Sequence, residues 1–120
     1  MATKDEHLRQ AASNESLASI LAKGAHKDWA VTVYFYSALH YVQALLAVHK
    51  NVCENQDERN AAMYATPQLR KVQLEYRLLQ SLSRQARYDA LPIGATEVAK
   101  AEEFFLIVRG QIRYVMGIKD

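Results

Sequence analysis

Four glycines and two prolines in 120 residues leave this chain few places to reverse direction. A many-stranded sandwich or barrel needs frequent turns, so the shortage points to a few long elements in one domain over residues 1–120. The single cysteine, Cys53, cannot close an intrachain disulfide, and the opening MATKDEHLRQ carries no apolar signal segment. A reducing, cytoplasmic setting is the expectation. Charge of one sign is not in excess: 15 basic against 13 acidic residues leave +2, which is no global polyanion signal. The glycines, at 24, 94, 110 and 117, never cluster into a phosphate-cradling loop. One cysteine and His7, His26, His40 and His49 show no HExxH or CxxC spacing, so neither metal nor cofactor is expected. Cys53 stands beside Glu54, which disfavours a thiolate nucleophile.

What the chain does contain is helical periodicity. Leu8, Ala11, Ala12, Leu17, Ile20 and Leu21 predict an amphipathic helix from about Lys4 to Ala22, with Gly24 ending it. Asp28 is the expected N-cap of a second helix reaching about Lys50. From Trp29 to Val48 it runs WAVTVYFYSALHYVQALLAV, without Asp, Glu, Lys or Arg. That length suffices to cross a bilayer. Thr32, Ser37, His40, Gln43 and three tyrosines argue instead for a central helix wrapped by protein, with no membrane partner. Two stripes, Trp29/Val33/Tyr36/His40/Ala44 and Val31/Phe35/Leu39/Val42/Leu46, predict two buried faces.

The segment NVCENQDERN has no clear periodicity and reads as a loop, the next helix starting between Asp57 and Thr66. Pro67 suits a first turn behind Thr66. Leu69, Val72, Tyr76, Leu79 and Leu82 then mark the buried face of a third helix, with Arg70, Lys71, Arg77 and Arg84 opposite. Pro92 and Gly94 break the chain, and Thr96 is the expected N-cap of a fourth helix, Glu97 to about Met116. Val98, Ala101, Phe105, Val108, Ile112 and Val115 form its buried face. Four such helices predict an all-α, up-and-down antiparallel four-helix bundle.

The near-neutral total hides an asymmetry. Residues 61 to 95 hold five cations against two carboxylates, a net +3, while residues 25 to 60 are at −1. Arginines interleaved with Tyr76 and Tyr88 can meet phosphates and stack a base, as single-stranded nucleic-acid sites do; the plain alternative is a solvated helix face. His40, four residues after Tyr36, shares a face with that ring and can serve as acid, base or phosphate contact, or as a hydrogen-bonded core histidine. Arg84 and Arg87, three apart at a helix end, suit either an anion or the last carbonyls of the helix.

The string WAVTVYFYSALHYVQALL, through Trp29, Phe35, Tyr36, Ala38 and His40, together with SRQARYDA, resembles the HEPN superfamily of small four-helix bundles. The resemblance covers about Ala11 to Ile118. Many members are metal-independent ribonucleases, often toxins or defence components, that act as dimers with a shared cleft. Their motif is an arginine followed after four to six residues by a histidine, and no arginine here is so followed. The family also often carries a histidine and an arginine after the second helix; Arg59 matches the arginine. The resemblance thus implies a non-catalytic homodimeric module, with no catalytic residues. It binds RNA, a nucleotide or a protein partner, such as a nucleotidyltransferase-type antitoxin, through Arg59, Arg84, Arg87, His40, Tyr36 and Tyr88. Two other expectations stand beside it: a ribonuclease with a relocated histidine, and a purely structural dimerisation protein.

Overall fold

A computed structural model describes residues 2–88 and 92–118. These form six helices: α1 (Lys4–Ala22), α2 (Lys27–Val48), α3 (Gln56–Ala65), α4 (Pro67–Arg70), α5 (Gln73–Tyr88) and α6 (Ala95–Met116). The described residues contain no strand. The radius of gyration, 13.6 Å, matches the value of about 13.5 Å for a single compact domain of this length. The central helix is α2, which packs on α1, α5 and α6, and α5 also meets α6.

Two of these helices were not expected. The second half of the segment expected as a loop is helical and α3 starts one residue before the earliest expected position, because the Asn55 side chain accepts the Glu58 N–H at 2.9 Å while the Glu58 carboxylate accepts the Glu54 N–H at 2.8 Å. Asp57 and Glu58 in the first turn also favour the positive end of the helix dipole. The predicted third helix is divided near Lys71 and Val72 into α4 and α5. Pro67 does open α4, but the Thr66 hydroxyl donates back to the Ala62 carbonyl at 2.8 Å and caps nothing.

The other caps shift by one or two residues. His26 precedes α2, so Asp28 lies inside its first turn. Gly94, not Thr96, bounds α6, its N–H donating to Glu97 Oε1 at 2.7 Å. Lys23 caps α1, and Gly24 follows it, donating to the Leu21 carbonyl at 3.1 Å.

Helix α1 docks differently from the expectation. Its fully buried residues are Ala11 and Ala18, while Leu17 and Ile20 remain 47% and 69% exposed. Seven residues advance a helix by nearly two whole turns, so positions 11 and 18 stack and position 20 faces the other way. Small side chains let α1 approach until the buried Ser37 hydroxyl donates to the Ala11 carbonyl at 2.7 Å. His7 pairs with His40 and Ala11 with Ser37, so the two helices run antiparallel.

Twelve of the 22 residues of α2 are buried. Of its two expected stripes, one is a core face throughout, with Val31, Phe35, Val42 and Leu46 buried and Leu39 partly so; on the other Ala44 is buried and Val33 and His40 half-buried, while Trp29 and Tyr36 are exposed. By length and composition α2 could cross a membrane, yet its apolar residues are mostly covered by protein. The core stacks Phe105 against Tyr34 and Tyr41, and Phe35 against Tyr76. At its margin the Glu15 carboxylate accepts the Tyr41 hydroxyl at 3.1 Å and pairs with Arg109, joining α1, α2 and α6. The predicted inward faces of α5 and α6 are buried as expected, with Leu82 and Val115 partly covered. What remains open along α2 is the first half of the partly covered stripe, at Trp29 and Tyr36.

Candidate functional site: two basic clusters on the open face of the central helix

The first cluster joins the end of α5 to the first half of α2. Arg87 Nη1 donates to the Tyr36 hydroxyl at 2.7 Å, Nη2 to the Ser83 hydroxyl at 3.2 Å, and Nε to the Ser83 carbonyl at 3.2 Å. The guanidinium carbon lies 5.5 Å from the Tyr36 ring centre and 5.0 Å from that of Tyr88, within cation–π range of both. Tyr88 is 72% exposed and Tyr36 37%. No carboxylate among the described residues forms an ion pair with Arg87. A shallow groove of about 300 Å³ runs beside it, lined by Asp28, Trp29, Thr32, Ala86 and Arg87. One nitrogen thus returns to a carbonyl one turn back in its own helix, and the rest of the fork lies beside two aromatic rings.

Arg84 does not join it. The three-residue step turns Arg84 onto a separate polar groove with Asp57, Asn60, Arg77, Gln80 and Ser81. The expected joint use of Arg84 and Arg87 on one anion is not what the fold arranges.

One turn further along α2, about 6 Å on at 1.5 Å per residue, the second cluster surrounds His40. Its Nδ1 is 3.1 Å from Nδ1 of His7, and the rings are 5.3 Å apart. A hydrogen bond between two such nitrogens needs one to donate and the other to accept, so at least one of the two rings is a neutral imidazole. Burial first, and then the charges of His7 and Arg59, push the His40 pKa below its usual 6.5; burial likewise lowers that of His7. His7 was missed by the sequence reading. The clue available was its place one turn before Ala11 on the docking face of α1.

Arg59 belongs to this cluster, on α3 and not in a loop. It is buried, at 9% exposure. Its Nε and Nη2 donate to Gln56 Oε1 at 3.4 and 3.2 Å, and the Tyr76 hydroxyl donates to that same oxygen at 3.2 Å. These partners are neutral, and no carboxylate among the described residues pairs with Arg59. Cys53 is close enough to feel Arg59, yet burial outweighs that charge and raises the thiol pKa, so it stays protonated. Among the described residues no three His, Cys, Asp or Glu side chains group as a metal site.

The six candidate residues thus resolve into Tyr36, Arg87 and Tyr88 in one place, His40 and Arg59 with His7 in another, and Arg84 apart. Comparison of the chain with protein families, curated proteins and solved structures returns no match.

Proposed function

We propose that this protein is a non-catalytic HEPN-like domain, with α1, α2, α5 and α6 as its antiparallel four-helix core, and that it binds single-stranded RNA on the open face of α2. The observation that carries this reading is the Arg87 guanidinium, hydrogen-bonded to the Tyr36 hydroxyl and within cation–π range of the exposed Tyr88 ring, without a carboxylate partner among the described residues. Single-stranded RNA is held by such elements: bases stack on aromatic and guanidinium planes while cations meet phosphates. Tyr88 offers a free ring face, and Arg87 is held in place from behind by Ser83. The net +3 of residues 61 to 95 adds a favourable field. The HEPN resemblance further proposes a cytoplasmic homodimer, with a cognate protein such as a nucleotidyltransferase-type antitoxin as a further partner.

The ribonuclease alternative has less support. It needs an imidazole beside Arg87, and the imidazole of His40 is engaged with His7, with Arg59 as its nearby guanidinium.

Fluorescence anisotropy with a labelled single-stranded RNA, repeated between about 50 and 200 mM salt, tests the proposal. Wild-type affinity should fall with salt. Arg87→Ala should reduce the slope of log K against log salt by about 0.7, one single-strand phosphate contact. Tyr88→Ala should weaken binding about 5- to 150-fold, the equivalent of about 1–3 kcal/mol of base stacking. Arg84→Ala, on the other groove, should change both far less. Wild-type affinity that is flat in salt, or an Arg87→Ala protein that binds like wild type, would refute the proposal.

A further inference from the structure

The start of α1 is held to the rest of the fold at few points. From Lys4 to Gln10 only His7 and Leu8 are partly covered, and the other five side chains are exposed. The next firm anchor is the fully buried Ala11, whose carbonyl accepts the Ser37 hydroxyl at 2.7 Å. Across this lightly held stretch runs the contact of His7 with His40, Nδ1 to Nδ1 at 3.1 Å, and neither ring makes another hydrogen bond among the described residues. Few charges surround it. Glu6 on α1 acts on His7, Arg59 on α3 acts on His40, and no carboxylate among the described residues pairs with either ring. Glu6 is already engaged, accepting the Thr3 N–H at 2.9 Å. His7 also lines a groove of about 590 Å³ between the start of α1, the end of α2 and the α2–α3 connection, together with Lys4, Gln43, Ala47, Lys50 and Cys53. The pair is therefore both one wall of that groove and within reach of solvent protons.

We propose that this pair is a proton-operated latch: when both rings carry an added proton, Lys4 to Gln10 lift from α2 and widen the groove, while the rest of α1 stays docked through Ala11 and Ala18. The contact itself sets the count at two. A neutral pair, or a pair with one added proton, still has one nitrogen to donate and one to accept. A proton added to each ring leaves two donors and no acceptor, and two like charges then face each other at 3.1 Å. Burial, and then the charges of His7 and Arg59, oppose the proton on His40; burial also opposes the one on His7, whereas Glu6 favours it. Opening relieves burial and repulsion together, so the open form binds protons more readily and gains as pH falls below 6.5. Leu8 alone then holds the stretch, and two turns of helix without packing fray. The latch is independent of RNA binding at Arg87.

The experiment is amide hydrogen exchange of the full chain, read by mass spectrometry between about pH 7.5 and about pH 5, with each rate divided by the intrinsic amide rate at the same pH. Peptides covering residues 4–10 should lose protection by about tenfold or more across that interval, while those covering residues 30–46 keep theirs. His40→Gln gives His7 a partner that can accept or donate without titrating. It should therefore abolish the loss in residues 4–10. Leu8→Ala weakens the other contact of the stretch and should move the loss to higher pH. Arg87→Ala should exchange like wild type whether or not RNA binding survives. The proposal is overturned if residues 4–10 stay protected at the acid end, if residues 30–46 lose protection in parallel, or if His40→Gln shows the wild-type loss.

Discussion

Docking of α1 through alanines makes an unusual demand: enlarging a small residue should hurt more than truncating a large one on the same helix. Ala18 is fully buried, and Ser37 closes on the Ala11 carbonyl at 2.7 Å two turns earlier. Ala18→Leu adds three carbons to a contact with no room for them, and leucine is nearly as good a helix former as alanine. The expected cost is therefore the overpacking penalty of about 1–3 kcal/mol. Ile20 is 69% exposed. Complete burial of such a side chain contributes about 1.5–3 kcal/mol, so the third that is covered contributes about 0.5–1. Alanine recovers about 0.4 through its helix propensity. The net change for Ile20→Ala should be within about 0.5 kcal/mol of zero. Urea unfolding followed by far-UV circular dichroism, with both variants at one protein concentration, measures the two differences. A loss above about 1.5 kcal/mol for Ile20→Ala, or a neutral Ala18→Leu, would show that α1 is turned the other way and refute the docking argument.

Two more outcomes follow from the core and from the histidine pair. Phe35→Ala removes a 3%-exposed ring packed 5.5 Å from Tyr76, and should cost about 3–5 kcal/mol in the same urea assay; a loss below about 1 would mean that this stripe is not a core face. The imidazoles of His7 and His40 titrate below 6.5 when folded and near 6.5 when unfolded, so the unfolded chain binds more protons in that interval. Stability should consequently hold above about pH 6.5 and decline as pH falls through the depressed folded values. Glu6 adds to the decline only near its lower carboxylate range, below 4.5. His40→Gln should flatten the upper part of the curve; an unchanged slope between pH 6.5 and 5 would remove the pair as its source.

The helical class and the inward faces of α5 and α6 were legible because long amphipathic elements repeat their pattern several times. Leu69, Val72, Tyr76 and Leu79, and Val98 through Ile112, are buried as their spacing requires. The ten residues of α3 give too few turns for periodicity to emerge, and Arg59, on its inward side, breaks the apolar pattern. Its readable signal was the cap, Asn55 followed three residues later by Glu58. The misreading of α1 has another origin. Hydrophobicity ranks isoleucine and leucine above alanine, whereas close helix packing ranks size, and the contact with α2 selected Ala11 and Ala18. On α2 the absence of charge correctly marked a central helix but could not say which stripe would be left uncovered.

The arginines show why a site is less legible than a fold. Sequence reveals how many cations a segment carries, but the chemistry of each depends on what tertiary packing places beside it. Arg109 meets Glu15, from the far end of the chain, and becomes part of a stabilising ion pair. Arg87 meets Tyr36 and Tyr88 and has no carboxylate partner among the described residues. Arg59 meets an amide and a phenol, is buried with them, and projects positive potential toward His40 and Cys53. Arg84 stands three residues before Arg87 and reaches neither cluster, lining instead the groove with Asp57, Asn60 and Arg77. Grouping these residues by sequence distance therefore joined Arg84 to Arg87 and left His7 out. Grouping them by the part of α2 that they approach separates Arg87, beside Tyr36 and Tyr88, from the buried Arg59, whose charge acts on His40.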